Sequence, residues 1–324
     1  MKYVYVLTSC ENDFYYEQFY ISVTSLRLHN PQAFIIALID SKTKKGLTEK
    51  RSGYERVVSQ TIIVPAPETL SQKEVSRWIK TSILNYTSGD FLYIDCDTVI
   101  TADISCDFPR NVHVGAVLDT HIPLSKHHLA PYFEGQDKKL GFVSSFETRK
   151  RFNGGVIFCR DSSVGHDFFQ KWHTLWLYSS KKGSHHDMPP LNQANYEMGE
   201  IITELDGTWN CQITHNGLSF LAEAKIIHCY ATSLKLYNCP FLPASIPALA
   251  SVKETGIISE ELLQRLKQPK AAFEPESIII SGQIELDTIN SKIFSLLLFF
   301  RKKTPRFFKA INSLLLKTRA MTQK

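Results

Sequence analysis

Strands and helices alternate along the first hundred residues, and that alternation restricts the chain to few architectures. Residues 3–7, 34–39, 61–64 and 91–94 are short apolar runs of strand length. Between the first two, residues 14–29 carry Tyr20, Val23, Leu26 and Leu28 near helical spacing, and Asn30-Pro31 ends the segment. Residues 71–86, which include Arg77, Trp78 and Lys80, predict another helix. Such alternation implies an α/β fold with a central, mostly parallel sheet covered on both faces. Ligands of these sheets bind beyond the carboxyl ends of the strands. The loop after Leu7 and the residues after Ile94 are therefore expected on one edge.

The segment just past Ile94 is acidic. Phe91-Leu92-Tyr93-Ile94 runs into Asp95-Cys96-Asp97 before apolar residues resume at Val99. Carboxylates at the end of a buried strand are costly unless partnered. On an extended chain Asp95 and Asp97 share a face. They would offer two hard oxygen ligands to a divalent cation, leaving other positions to phosphate oxygens. An Asp-rich turn after a strand is the plainer alternative.

Further along, residues 112–118 predict a strand, and residues 124–145 a long loop or lid whose His127 and His128 are solvated. Phe152-Asn153-Gly154-Gly155-Val156 joins an amide and two glycines to an apolar strand, where glycine permits close backbone approach. Residues 162–178 predict a helix with Phe168, Phe169, Trp172 and Trp176 in the core. His185-His186-Asp187 precedes Pro189-Pro190, which suits the start of a helix better than a second metal site. Residues 224–230 form a short apolar strand around His228, and a lone histidine there is ordinarily structural.

The seven cysteines are scattered, odd in number and never spaced Cys-X-X-Cys. Reduced thiols in a cytoplasm are expected, not a disulfide framework or a zinc ribbon. Residues 1–7 read as a first strand and not as a secretion leader, and no apolar run approaches the roughly 20 residues that span a bilayer. A soluble cytoplasmic protein is the expectation. The net charge of +5 belongs to the tail: residues 301–324 hold eight basic and no acidic residues, leaving 29 basic against 32 acidic elsewhere. A basic tail on an acidic body disfavours nucleic acid as partner. Residues 290–324 combine Ile293 to Phe300, nearly all apolar, with Phe307, Phe308, Ile311 and Leu314 among lysines and arginines. That composition suits a helix lying on an anionic membrane surface. The expected division is therefore 1–245 for an α/β catalytic domain and 246–324 for a helical, membrane-associating region.

Taken in order, Tyr93-Ile94-Asp95-Cys96-Asp97, Phe152-Asn153-Gly154-Gly155-Val156, Asp187 with Leu191-Asn192-Gln193, Trp209-Asn210-Cys211-Gln212 and Ile226-Ile227-His228 resemble the retaining glycosyltransferases of family 8. The resemblance spans roughly residues 2–238. It implies a GT-A fold, one Rossmann-like domain that binds a nucleotide-sugar and Mn²⁺ (or Mg²⁺). It also implies metal ligation by Asp95, Asp97 and His228, and a place for uracil and ribose at Thr8-Ser9-Cys10. Arg77 or Lys80 is the implied donor-binding cation, and Lys80 departs from the family's arginine. Lys235 is the implied phosphate ligand, Gly154 lies against the donor, and Asn153 and Asp187 are the implied catalytic residues around the transferred sugar. Met188 stands where the family often has glutamine. The implied reaction moves a hexose from a UDP-sugar to a saccharide or lipid-linked saccharide, with retention, in polysaccharide or lipopolysaccharide synthesis at the inner face of the membrane. An inverting GT-A transferase, a nucleotidyltransferase, or an inactive assembly partner with the same fold are the alternatives.

Overall fold

The computed structural model describes residues 1–127, 129–147, 150–213, 215–229, 244–273, 287–288 and 291–322. Two compact units divide the chain, Met1–Ala272 and Phe273–Lys324. The first begins with β1 (Lys2–Leu7), α1 (Tyr15–His29), β2 (Phe34–Asp40), α2 (Ser41–Gly46), β3 (Gln60–Val64), α3 (Gln72–Thr81), β4 (Phe91–Ile94), β5 (Thr98–Ile100) and β6 (Val114–Leu118). It continues with α4 (Ala130–Leu140), α5 (Ser144–Glu147), β7 (Phe152–Cys159), α6 (Ser163–Lys181), α7 (Met188–Glu197), β8 (Ile202–Glu204), β9 (Cys211–Gln212), β10 (Ile226–His228), α8 (Ile246–Thr255) and α9 (Glu260–Lys267).

The apolar runs become central strands because both of their faces are covered. In β1, Tyr3, Tyr5 and Leu7 pack with Phe19, Val23 and Leu26 of α1. Val4 and Val6, on the other face, pack with Val75 and Ile79 of α3 and with Phe168 and Trp172 of α6. Each such side chain contributes about 1.5–3 kcal/mol on burial, which outweighs the loss of an alternating pattern. The seven-stranded sheet has the order β3-β2-β1-β4-β7-β6-β8. β1 runs parallel to β2 and to β4, with Val4 opposite both Ile36 and Tyr93. β7 is antiparallel to its neighbours β4 and β6, an inversion that the alternation of elements did not signal. The carboxyl ends of β1 and β4 thus meet the amino-terminal half of β7 at one edge.

Three expectations change. The run at 91–100 is two strands in two sheets: β4 ends at Ile94, and β5 joins β10 and β9 in a small second sheet. Asp95 and Asp97 lie in the turn between them, yet still face alike, because the Cys96 thiol turns inward and donates to the Val6 carbonyl at 3.3 Å. The expected loop at 124–145 contains helices α4 and α5. Gly141 closes α4 in a left-handed conformation, and Arg151 meets the buried Asp137 at 3.3 Å, a long-range pair invisible to local periodicity. His127 is buried rather than solvated, its Nδ1 accepting the Leu129 N–H at 2.9 Å; His128 lies outside the described residues.

Helices α8 and α9 belong to the first unit. Leu249 and Leu266 are fully buried, and the Lys253 ammonium donates to the Asp13 carbonyl at 2.9 Å. Pro247 lies in the first turn of α8. In the second unit lie α10 (Lys292–Lys303) and α11 (Pro305–Thr322), with Phe300 and Phe307 edge to face at 5.2 Å across the break at Pro305. No residue of α10 is buried, and Ile293, Leu296, Phe299, Phe307 and Leu314 are exposed. Among the described residues, no helix is long and apolar enough to cross a membrane.

Candidate active site

The strand edge opens into a cavity of about 540 Å³. The Asp95 amide donates to the Gly155 carbonyl at 2.8 Å, carrying the β4–β7 ladder one step past Ile94. Thr98 of β5 pairs with His228 of β10, and the Cys229 amide donates to the Asp97 carbonyl at 2.8 Å. These backbone bonds bring Asp95, Asp97 and His228 together, with one potential ligand atom from each lying within 4.8 Å of the others. His228 Nε2 is 3.2 Å from an Asp97 oxygen. Burial lowers the pKa of this imidazole, but Asp97 beside it reverses the effect and raises it. Two carboxylates and one imidazole form a donor set that fits Mn²⁺ or Mg²⁺. The close approach requires Gly155, because a Cβ there would lie 2.3 Å from His228 Cε1.

Helix α3 supplies the cations. A capping box of Ser71 and Glu74 fixes its start. Val75 and Ile79 anchor it to the core, which turns Arg77 and Lys80 toward the cavity. The Lys80 ammonium lies 2.7 Å from Asp187 and 3.3 Å from Asp95, above the Tyr93 ring. The Tyr93 hydroxyl donates to the same Asp95 oxygen. Burial opposes charge on both partners of the Lys80–Asp187 pair. Their mutual attraction nevertheless raises Lys80, with Asp95 adding to the effect and Arg77 opposing it, and together with Arg77 it holds the Asp187 carboxyl well below the usual range. Arg77 is less committed. Its Nε is 3.9 Å from Asp187 and, although buried, has no hydrogen-bond partner among the described residues. Arg77 is therefore the cation with capacity to spare for a diphosphate oxygen.

Most of the expected residues converge here. Thr8, Arg77, Lys80, Asp95, Asp97, Asn153, Gly154, Asp187 and His228 all line the cavity, as does Met188. Ser9 does not: its hydroxyl donates to Asp13 at 2.6 Å and accepts from the Tyr16 amide at 3.2 Å. Lys235 lies outside the described residues. His186 lines the cavity, with its pKa lowered by burial, while His185 pairs with Glu74 at 3.0 Å. Several motif residues hold backbone instead of facing the cavity. The Asn192 oxygen accepts from Phe152 N–H, that of Gln193 from Val143 and Ser144 N–H, and that of Gln212 from Thr120 N–H.

Sequence reasoning passed over Asp13, Gln72 and Tyr93. Asp13 and Gln72 meet at 2.6 Å and shape the cavity wall, and no local pattern announces them. Tyr93 was detectable, since it sits two residues before Asp95 and shares its face.

No protein-family model matches this sequence, and no curated protein does. Among solved structures, the chain is similar to the galactosyltransferase LgtC in complex with donor and acceptor sugar analogs, at a TM-score of 0.50 and 15% identity over 81% of this chain and 98% of that one. An active-site mutant of LgtC gives a TM-score of 0.50 and 14% identity over 83% and 100%. Mouse xyloside xylosyltransferase 1 matches with a TM-score of 0.46 and 13% identity over 71% and 98%. The chain has the GT-A fold of glycosyltransferases, as the resemblance to family 8 implies.

Proposed function

We propose that the protein is a divalent-metal-dependent glycosyltransferase that moves a hexose from a UDP-sugar to a saccharide or lipid-linked saccharide with retention. The observation that carries this is the placement of Asp95, Asp97 and His228 beside Arg77 in one cavity at the carboxyl ends of β1 and β4. LgtC, of similar fold, was crystallised with donor and acceptor sugar analogs, which supports a two-substrate reaction in a cavity of this kind. A bound Mn²⁺ or Mg²⁺ would supply positive charge against the departing diphosphate. Arg77 would hold a diphosphate oxygen and orient the donor. Asp187 is a poor nucleophile, because Lys80 pins its carboxylate and keeps its basicity low. Met188, beside it, has no atom that attacks a sugar carbon under these conditions. Both features favour same-face attack: the bond between the anomeric carbon and the diphosphate oxygen breaks, the acceptor oxygen bonds to that carbon, and the acceptor proton passes to the leaving diphosphate.

Slow UDP release from a UDP-hexose is expected with Mn²⁺, with loss on chelation and no comparable release from GDP- or CMP-sugars. Tested with a donor panel by calorimetry and nucleotide release, the absence of binding by any donor would remove the transferase reading.

The second unit supports a place at an anionic membrane. Exposed apolar residues of α10 and α11 lie among Arg301, Lys302, Lys303, Arg306 and Lys309, and each cation near such a surface contributes about 1 kcal/mol. The full chain should sediment with phosphatidylglycerol vesicles, and Lys302→Glu with Lys303→Glu should weaken that binding by at least about tenfold. Equal partition onto neutral phosphatidylcholine would overturn the assignment. Localisation at the inner membrane face, and a role in surface polysaccharide or lipopolysaccharide synthesis, are proposals that rest on this reading.

A further inference from the structure

We propose that Arg51 is a positioning residue for the donor: its buried guanidinium fixes the loop of residues 9–13, one wall of the cavity, in the shape that would receive the donor's nucleoside. The inference deepens the transferase reading above and rests on it for its ligand, though not for its geometry.

Residues 9–13 link β1 to α1, so their backbone polar groups need partners outside the strand ladder and the helix. Asp13 closes the loop from within. One of its carboxylate oxygens accepts from the Ser9 hydroxyl at 2.6 Å and the Tyr15 amide at 3.0 Å. The other accepts from the Cys10 amide at 2.8 Å and from the Gln72 side chain at 2.6 Å. Arg51 holds the loop from behind. It ends the tight turn Glu49–Arg51, and from there Nη1 donates to the Cys10 carbonyl at 2.8 Å and Nη2 to the Asp13 carbonyl at 3.2 Å. Through Nε and Nη2 it also grips the fully buried Glu17, in the first turn of α1, at 3.0 to 3.2 Å. One planar fork thus ties the loop to the helix that follows it, a geometry that a lysine ammonium does not reproduce. Arg51 is not among the residues that line the cavity, whereas Cys10, Asn12 and Asp13 are. It reaches a ligand only through the loop.

A second brace comes from α8. Lys253 donates to the same Asp13 carbonyl at 2.9 Å from 240 residues downstream, and lies 4.9 Å from the Phe14 ring centre. Gly256 ends α8 with φ at 74°, and a Cβ there would lie 2.7 Å from the Lys50 Cα. The helix end therefore rests on the backbone of the turn that carries Arg51. The plainer account of Arg51 is that it neutralises the buried Glu17. That explains the Glu17 contacts and leaves the bonds to the Cys10 and Asp13 carbonyls without a role.

The test removes the ion pair without stranding a buried charge. Glu17→Leu combined with Arg51→Met deletes both partners, which often leaves stability nearly unchanged, and deletes the two bonds to the loop as well. UDP affinity is measured by calorimetry on the full chain with Mn²⁺, well below the melting temperature. Hydrogen exchange of the amides of residues 9–14 is followed in the ligand-free protein. The double variant should bind UDP about tenfold more weakly, the equivalent of one or two lost hydrogen bonds, and should exchange faster over residues 9–14. In UDP release from a UDP-hexose the loss should fall on KM, with kcat little changed, because a nucleoside contact is made alike in ground and transition states. Lys253→Met, which removes one bond to the same loop, should move both readouts in the same direction by less. Were Arg51 only neutralising Glu17, the double variant would keep wild-type affinity and exchange, and that result overturns the proposal. If the double variant does not fold, Arg51→Lys decides. It keeps a charge for Glu17 but does not span both carbonyls, so weakened UDP binding is expected and wild-type affinity overturns the proposal. Failure of the wild type to bind UDP would instead remove the transferase reading, and the donor role of Arg51 with it.

Discussion

Replacing Asp97 by Asn should reduce Mn²⁺-dependent UDP release by about 10²–10³-fold, since a metal's share of transition-state stabilisation is several kcal/mol and each 1.36 kcal/mol is tenfold. The substitution removes one negative oxygen and leaves the side-chain volume nearly unchanged. Asp97 is well suited to this test, because it lies 3.2 Å from His228, itself a candidate ligand. Asp95 is a poorer choice: its carboxylate also serves Lys80 and the Tyr93 hydroxyl, so Asp95→Asn would disturb a buried cation as well as the metal. Three measurements separate the outcomes. Turnover at saturating Mn²⁺ reports chemistry, the Mn²⁺ dissociation constant reports ligation, and the metal-free melting temperature reports folding. A large fall in the first two with a melting temperature within a few degrees of the wild type is expected. Activity retained within tenfold, at unchanged Mn²⁺ affinity, would sink the metal assignment.

How much of this was legible in the sequence depends on the range of the interaction. The four strand runs and helix α1 are set by short-range patterns, and their residues were readable almost to the boundaries: the strand expected at 34–39 is Phe34–Asp40, and that at 61–64 is Gln60–Val64. The Asp95–Cys96–Asp97 face was readable too, with a turn as the plainer alternative, but the switch from one sheet to the other was not, because it depends on the distant pairing of Thr98 with His228. Helix α4 escaped for a similar reason, its Asp137 being held by Arg151. The second glycine of Phe152-Asn153-Gly154-Gly155 reads as room for a close approach, without the identity of what approaches. Its use is steric room for an imidazole from more than seventy residues later. Ser9, placed by the resemblance beside uracil and ribose, has its hydroxyl engaged by Asp13 and Tyr16, which the sequence did not show. The sequence thus nominated residues that line the cavity, whereas their division between facing the cavity and holding the backbone required tertiary structure.

Lys80 is where that division matters most, and Lys80→Met should destabilise the metal-free protein by about 3–5 kcal/mol at neutral pH, the usual cost of stripping one partner from a buried ion pair. The substitution keeps an unbranched apolar stem but leaves the Asp187 carboxylate with Arg77, at 3.9 Å, as its cation among the described residues, and leaves Asp95 with the Tyr93 hydroxyl. At about 2–4 °C per kcal/mol for a large domain, the melting temperature should fall by roughly 6–20 °C. The pH dependence gives the effect a signature. In the wild type the folded pKa of Asp187 is depressed below its unfolded value, so its contribution is present above about pH 4 and is lost as pH falls through the folded value. Without Lys80, burial becomes the larger influence and the folded pKa moves upward. The uncompensated charge is then destabilising at neutral pH and is relieved by protonation as pH falls. The stability gap between wild type and variant should therefore narrow steadily on acidification, read by chemical denaturation in the presence of a chelator from pH 8 to pH 4. A gap that stays constant over this range would mean that Lys80 contributes packing alone. Lys80→Arg supplies the contrast. It preserves the charge, so its gap should be small and nearly independent of pH, whether or not the larger guanidinium changes donor binding.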